Sequence, residues 1–442
     1  MANNFFDTIS AIATPLQTGA VGIIRISGEK AFEIIKQMFL GKEIEAGKIC
    51  YGWIVNDGKK IDEVLVLPFV KPHSFTGEDV IEIHCHGGLN VLKTVLELTY
   101  KYGARPAERG EFTKRAFLNK KMDLSQAEAI LDLIEAKTQT FAQKSANNLS
   151  GTLYNFIEEI RKKIFDLLSR MIAAIDFPED VAEVDYDFII SELGNAITSI
   201  KEVLKTAQSS NIMRQGIKIA ILGRPNVGKS SLFNNLLNQK RAIVTEIAGT
   251  TRDVIQETID IDGLCATLID TAGIREDENV DKVEKIGIDY SKNTIEQADL
   301  VLFLYDVQCG MTDDDRQIFE LAKEKPFIKI ATKSDLCKNS EDFSISNLTG
   351  ENIDILKQKI KEKISNDDFS QVEFVTNQRQ QKCLQDALNS LEIALSAAKK
   401  KELQDLITID IKSALLALGE LTGEVVTDDI LNNIFENFCI GK

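Results

Sequence analysis

Gly223-Arg-Pro-Asn-Val-Gly-Lys-Ser230 sets two glycines, a lysine and a hydroxyl at the spacing G-x-x-x-x-G-K-[ST]. The chemistry open to such a run is phosphate binding. Glycines let backbone N–H groups close around phosphate oxygens, and the start of the following helix adds positive potential there. Lys229 is expected to reach the β- and γ-phosphates, and the Ser230 hydroxyl to ligate Mg²⁺. Asp270-Thr-Ala-Gly273 supplies a second part. An acid at a strand's end can hold Mg²⁺ through water, and the Gly273 N–H can meet the γ-phosphate. Thr332-Lys-Ser-Asp335 supplies a third, because the Asp335 carboxylate can accept both the N1 and N2 protons of guanine, a pair that adenine lacks. The usual guanine-reading pattern has Asn where Thr332 stands. A threonine can bond locally but cannot reproduce both functions of an amide. Ser346-Asn-Leu348 falls where a last base-contacting loop is expected, a weak signal by itself.

The hydrolytic equipment is incomplete. Many small GTPases place Gln directly after the DTAG run to orient water, and here that position is Ile274. Glu276, Asp277, Glu284 or backbone groups are left as candidates. Arg252 and Arg275 lie near the switch runs, but an exposed arginine there reads as a surface residue. Another cation must then balance transition-state charge.

The elements that must position these residues follow from the patterning. From about 216 to 373, apolar runs at Ile217–Leu222, Leu264–Ile269, Leu300–Tyr305 and Phe327–Ala331, with a shorter one near Phe343, alternate with helical stretches. That alternation predicts a mostly parallel, doubly wound α/β sheet with the phosphate loop between strand and helix. Residues 1–120 mix strand signals (Ala20–Ile26, Asp79–His84) with amphipathic helices (Ala31–Phe39, Leu89–Tyr100), an α+β pattern. Segments 121–215 and 374–442 are helical. Ser125 and Glu128 have capping-box spacing, and Leu153, Phe156, Ile157, Ile160 and Ile164 form one stripe. Neither segment buries its stripe alone, so one helical domain split by an inserted α/β domain is expected.

Composition bounds the function. The 442 residues are 44% apolar and 27% charged, as in globular proteins. A net charge of −16 argues against coating nucleic acid by bulk electrostatics, while leaving room for a local basic face. No secretion signal or membrane-length apolar run is present, and seven scattered cysteines without CxxC pairs suit a reducing cytoplasm. In His84-Cys85-His86 the histidines share a strand face and Cys85 points away, so a structural role outweighs metal binding.

Asn226 in the phosphate loop and Thr245-Glu-Ile-Ala-Gly-Thr-Thr-Arg-Asp253 resemble the potassium-activated GTPases. With Gly22-Ile-Ile-Arg-Ile-Ser-Gly28, Thr76-Gly-Glu-Asp79, Gly110-Glu-Phe-Thr-Lys-Arg-Ala-Phe-Leu-Asn119, Met122-Asp-Leu-Ser-Gln-Ala-Glu-Ala129 and Phe438-Cys-Ile-Gly-Lys442, the chain resembles the MnmE (TrmE) family of tRNA-modification GTPases. Arg109 stands where that family's pattern has proline. The resemblance implies an α/β P-loop GTPase domain inserted into an α-helical domain and preceded by an α+β folate-binding-type N-terminal domain. It implies GTP contacts from Asn226, Val227, Gly228, Lys229, Ser230 and Ser231. Further contacts would come from Thr245, Glu246, Ile247, Ala248, Gly249, Thr250 and Thr251, from Asp270, Thr271, Ala272 and Gly273, from Thr332, Lys333, Ser334 and Asp335, and from Ser346, Asn347 and Leu348. It implies K⁺ on Asn226, Thr245, Ile247 and Thr250, Mg²⁺ on Ser230 and Thr251, and Glu284 as the catalytic residue. It also implies a 5-formyl- or methylene-tetrahydrofolate site of Arg25, Glu82, Lys121 and Lys442, with Cys439 nearby either as a nucleophile or as a spectator thiol. The implied partners are a second copy of the chain, an FAD-dependent MnmG (GidA) protein in a heterotetramer, and tRNA whose wobble uridine is modified at C5. A nucleotide-gated ribosome-assembly module is the competing reading; it expects a basic C-terminal RNA-binding domain, and the acidic helical C-terminal segment counts against it.

Overall fold

The computed structural model describes residues 7–239, 256–270, 295–323, 325–337, 342–364 and 372–442. The chain divides into two compact units. One comprises Met1–Leu131, Tyr154–Glu158 and Leu415–Lys442, and the other Asp132–Leu153 and Glu159–Ala414.

The first unit is built on a seven-stranded sheet in the order β3-β4-β5-β6-β2-β1-β7. Its strands are β1 (Ile9–Ile12), β2 (Val21–Ser27), β3 (Phe39–Gly41), β4 (Cys50–Asn56), β5 (Lys59–Phe69), β6 (Val80–His86) and β7 (Arg105–Pro106). All neighbours are antiparallel except β1 and β7. Helix α1 (Ala31–Met38) buries Ala31, Ile34, Ile35 and Met38, and α2 (Leu89–Lys101) buries Leu92, Val95 and Leu98. The three- and four-residue spacing gives each helix one apolar stripe. These stripes share a core with Ile24, Ile26, Val64, Val66, Ile81 and Ile83. Alternation puts the intervening residues on the opposite face. There, Leu40, Val21, Tyr51 and Leu65 remain exposed. Helix α3 (Glu111–Leu118) adds Phe112 to a small cluster with Ile9, Ala11 and Ala107.

Helix α4 (Leu124–Glu135) corrects the expected cap. Asp123, not Ser125, caps it: its carboxylate accepts from the Ser125 and Gln126 backbone N–H groups, and the Gln126 side chain accepts from Asp123 N–H. The box therefore sits two residues earlier, because an aspartate directly before the first turn satisfies two orphan donors at once.

The second unit holds α5 (Gln139–Leu149), most of α6 (Thr152–Asp176), α7 (Tyr186–Lys205) and α8 (Ala207–Gln215), followed by a five-stranded sheet. Its strands are β8 (Ile217–Leu222), β9 (Gln256–Ile261), β10 (Leu264–Asp270), β11 (Leu300–Asp306) and β12 (Phe327–Thr332), in the order β12-β11-β8-β10-β9. Four strands run parallel, and β9 is an antiparallel edge. The edge strand was not foreseen. It turns back through Asp262 (φ 48°) and Gly263 (φ 92°), the left-handed pair that a two-residue hairpin needs. The sheet is flanked by α9 (Lys229–Gln239), α10 (Asp313–Ala322) and α11 (Ile353–Ile364), and the chain continues in α12 (Gln378–Lys399) and α13 (Gln404–Thr422); α13 from Leu415 onward and α14 (Asp428–Phe435) belong to the first unit. One core of the sheet takes Phe141 from α5 and Met213 from α8 beside Ile219, Leu268 and Leu302. Thr138 caps α5 through the Phe141 N–H, and its hydroxyl also reaches the Gly263 carbonyl at 3.4 Å.

Candidate functional site

Strand β8 is buried over its last four residues, and α9 begins at Lys229, so the loop between them is fixed at both ends. Its shape requires its glycines. Gly223 has φ 149°, and an added Cβ would lie 2.4 Å from the Leu304 carbonyl oxygen; Gly228 has φ 99°. Asn226, a non-glycine at φ 64°, completes a loop of alternating handedness. Left-handed positions set next to right-handed ones are the backbone pattern from which an anion nest is built. The Lys229 ammonium donates to the Gly223 and Arg224 carbonyls at 2.8 Å each, which places its charge over the loop. Asn226 and Ser230 are exposed at the loop, offering hard oxygen donors of the kind that Mg²⁺ and K⁺ accept.

The base-reading segments are tied to this loop. Thr332 ends β12 fully buried, its hydroxyl 2.7 Å from the Val227 carbonyl and 3.1 Å from that of Tyr305. Asn347 donates to the Gly228 carbonyl at 3.2 Å, and Asn235 of α9 donates to the Asn347 carbonyl at 2.7 Å. Asp335 is exposed, with one carboxylate oxygen fixed by the buried Ser346 hydroxyl at 2.6 Å. Ser334 donates to Glu351 and Leu348 is exposed. The structure thus brings Asn226–Ser230, Thr332–Asp335 and Ser346–Asn347 into one connected set.

Two supports were not foreseen. Lys333, at φ 65°, pairs with Asp306 at the end of β11 at 2.6 Å. Burial opposes the Asp306 charge, but the Lys333 ammonium and the Gln308 N–H outweigh it and hold the carboxyl below its usual range. Arg224 pairs with the fully buried Asp315 at 2.8 Å. Asp315 closes a capping box with Thr312 at the start of α10. The Thr312-x-x-Asp315 spacing was the available signal, though not for the arginine. The expected Thr245, Glu246, Ile247, Ala248, Gly249, Thr250, Thr251, Thr271, Ala272, Gly273 and Glu284 lie outside the described residues, as do Arg252, Arg275, Glu276, Asp277 and the side chain of Asp270.

In the first unit, Arg25 of β2 and Glu82 of β6 are directly opposite in the ladder and form a two-pronged pair at 2.8 and 2.9 Å. The Arg25 guanidinium sits 5.3 Å from the Phe75 ring centre and 5.6 Å from that of Phe112. Its third prong reaches the Gly441 carbonyl at 3.3 Å. The C-terminal tail is brought there by specific anchors. Phe438 is fully buried, Arg109 bridges Ile440 and donates to the Phe438 carbonyl, and Phe112 N–H donates to the Lys442 carbonyl. Gly441 is held at φ 97°, where a Cβ would lie 2.3 Å from the Ile12 carbonyl oxygen. Arg25, Glu82 and Lys442 are therefore gathered, while Lys121 contacts the Pro72–Gly77 loop, its ammonium on the Pro72 carbonyl at 3.0 Å. A half-buried guanidinium beside a carboxylate, over aromatic rings, fits a flat heterocycle carrying both donors and acidic groups. Cys439 is exposed and, like the other six cysteines, free. His84 and His86 face Glu82 and Asp62, and no cluster suited to a metal occurs among the described residues.

A phosphate nest between a parallel strand and a helix, with a guanine-type acid after another parallel strand of the same sheet, defines a P-loop GTPase, an enzyme that binds GTP with Mg²⁺ and hydrolyses it. Residues 8–121 match the family model described as GTP-binding protein TrmE N-terminus, and residues 124–439 the MnmE helical domain. Among curated proteins, the chain is 43% identical to the tRNA modification GTPase MnmE of Acetivibrio thermocellus, over 99% of both chains. It is 43% identical to that of Streptococcus mutans over 100% of both. It is 41% identical to that of Aquifex aeolicus, over 99% of this chain and 100% of that one. The chain belongs to the MnmE family of tRNA modification GTPases. No helix among the described residues is long and apolar enough to cross a membrane.

Proposed function

We propose that this chain is a potassium-activated GTPase of the cytoplasm whose hydrolysis cycle serves tRNA wobble-uridine modification. The observation that carries the reading is the intact phosphate nest and its tied guanine-reading loops within a chain related end to end to tRNA modification GTPases. Asn226, Val227, Gly228, Lys229, Ser230 and Ser231 bind the phosphates. Asp335, with Thr332, Lys333, Ser334 and Ser346–Leu348, binds the base. Ser230 and Thr251 hold Mg²⁺; Asn226 with Thr245, Ile247 and Thr250 holds K⁺. The switch residues Glu246, Ala248 and Gly249, and the run Asp270–Gly273, complete the nucleotide contacts. When bound, K⁺ supplies positive charge where an arginine finger is missing, and Glu284 orients the attacking water. The working division of the chain is 1–120, 121–215, 216–373 and 374–442, with the GTPase domain third and the helical domain on either side of it.

Arg25, Glu82, Lys121 and Lys442 hold a 5-formyl- or methylene-tetrahydrofolate, with arginine and lysine suited to its acidic tail and glutamate to its pterin donor edge. The folate supplies one carbon when bound. Two copies pair through the first unit. The support is the sheet face opposite α1 and α2, which leaves Val21, Leu40, Tyr51 and Leu65 exposed and also carries Arg25 and Glu82. An FAD-dependent MnmG (GidA) partner shares the work of adding an aminomethyl or carboxymethylaminomethyl group at C5 of U34. A chain at −16 leaves most of the tRNA backbone to that partner. GTP turnover measured in KCl and in NaCl at matched ionic strength tests the proposal. Faster turnover in KCl is expected, and equal rates would remove the K⁺ assignment. Unchanged wobble modification in cells lacking the gene would remove the tRNA assignment.

A further inference from the structure

We infer that Thr332 is a positioning residue that keeps one half of an amide's work at the guanine site and gives up the other, so that this site does not read N7 of the purine. The inference rests on the guanine-nucleotide reading above. The Thr332 side chain is fully buried and carries a single hydroxyl proton. The nearest acceptors are the carbonyl oxygens of Val227 in the phosphate loop, at 2.7 Å, and of Tyr305 at the end of β11, at 3.1 Å. Both are acceptors only, so the proton is taken up between them and none is left to donate to a ligand. The bond to Val227 holds the phosphate loop against β12, three residues ahead of the carboxylate that meets the base.

An asparagine amide has two protons. One can hold the Val227 carbonyl while the second donates to an acceptor on the base. With Asp335 on the N1/N2 edge, N7 is the ring acceptor that a second donor at position 332 would read. Threonine offers N7 only another lone pair. The geometry therefore separates a tether, retained, from a readout, lost. Guanine recognition in this chain falls on Asp335, whose free carboxylate oxygen stands beside the one fixed by Ser346.

The test is calorimetric titration of the full chain with GDP and with 7-deaza-GDP, in which a C–H replaces N7 and removes the acceptor. The chain as it stands is expected to bind both within about twofold of each other. T332N should restore a preference for GDP of about tenfold, the size of one neutral hydrogen bond to a ligand. T332S keeps the hydroxyl and should bind as the parent does. T332V keeps the shape without the proton and should weaken both nucleotides equally, by about tenfold. A fivefold or greater preference for GDP in the unaltered chain would overturn the lost readout without needing any variant to fold. Parent-like binding by T332V would overturn the tether. If the chain binds neither nucleotide, the guanine-site reading fails first and this inference with it.

Discussion

Replacing Arg115 by methionine should unfasten the first unit selectively. The guanidinium is 2% exposed and serves four acceptors: the Asp7 carboxylate at 2.7 Å, the Asp7 carbonyl at 2.8 Å, Glu111 at 2.9 Å and Glu78 at 3.2 Å. Methionine refills much of the volume, so the loss is electrostatic. Removing one member of a buried charge network costs about 3–5 kcal/mol where the remaining charge stays buried without a partner. Arg105 still pairs with Asp7 and Glu111 from a more exposed position, which moves the expectation to about 3 kcal/mol. Trp53, the single tryptophan of the chain, lies in β4 of the same unit and reports its unfolding by fluorescence. With a urea slope of about 2 kcal/mol/M, the Trp53 midpoint should fall by about 1.5 M at pH 7. The pH dependence provides a second check. Burial works to raise the Asp7 and Glu111 carboxyls, but Arg105 and Arg115 outweigh it and hold both below their ordinary values. Groups lowered on folding stabilise above their unfolded pKa, near 4, and lose that contribution as pH falls through the lower folded values. The gap between parent and R115M should therefore narrow below about pH 4. An unchanged midpoint at pH 7, or a gap that persists in acid, would refute the reasoning.

Gly223→Ala should abolish GDP binding in calorimetry, since its Cβ would sit 2.4 Å from the Leu304 carbonyl in a backbone region closed to alanine. Phe141→Ala should destabilise the second unit by about 3–4 kcal/mol, the range for emptying a buried aromatic site, read by hydrogen exchange in β8 and β10. His86 should titrate above its ordinary value near 6.5, since the Asp62 carboxylate accepts from its ring. A group raised on folding stabilises fully below that value, and its contribution is lost as pH rises through the higher folded one. NMR titration should show the His86 midpoint falling in D62N.

The phosphate loop, β8 and the strand ends at Thr332 and near Asp270 were legible because their backbone demands fall on particular residue types at fixed spacings. The β4–β5 hairpin was missed although Asp57-Gly58 marks its turn. Its strands carry exposed Tyr51 and Leu65 on one face and so show no clean alternation. Arg115 and Glu111 gave no sign of burial, since a charge pattern along the chain is the same whether its partners are water or one another. Phe141 was not singled out within the helical segment 121–215. Nothing local marks a side chain that completes the core of a sheet beginning 76 residues later, because the information lies in the packing. Thr332 was visible as a departure, but which of the amide's two roles it keeps depends on a carbonyl 105 residues away.

That placement of Phe141 and Thr138 bears on how the chain is made. The helix bearing them leaves the ribosome well before the strands it completes, and the Thr138–Gly263 contact spans 125 residues. A segment synthesised N-terminal first must hold its apolar face until β10 has emerged. One core of the nucleotide-binding sheet is therefore completed by a residue made before any of its strands. Phe141 is synthesised before β8, so translation supplies that part of the core ahead of the sheet it packs on.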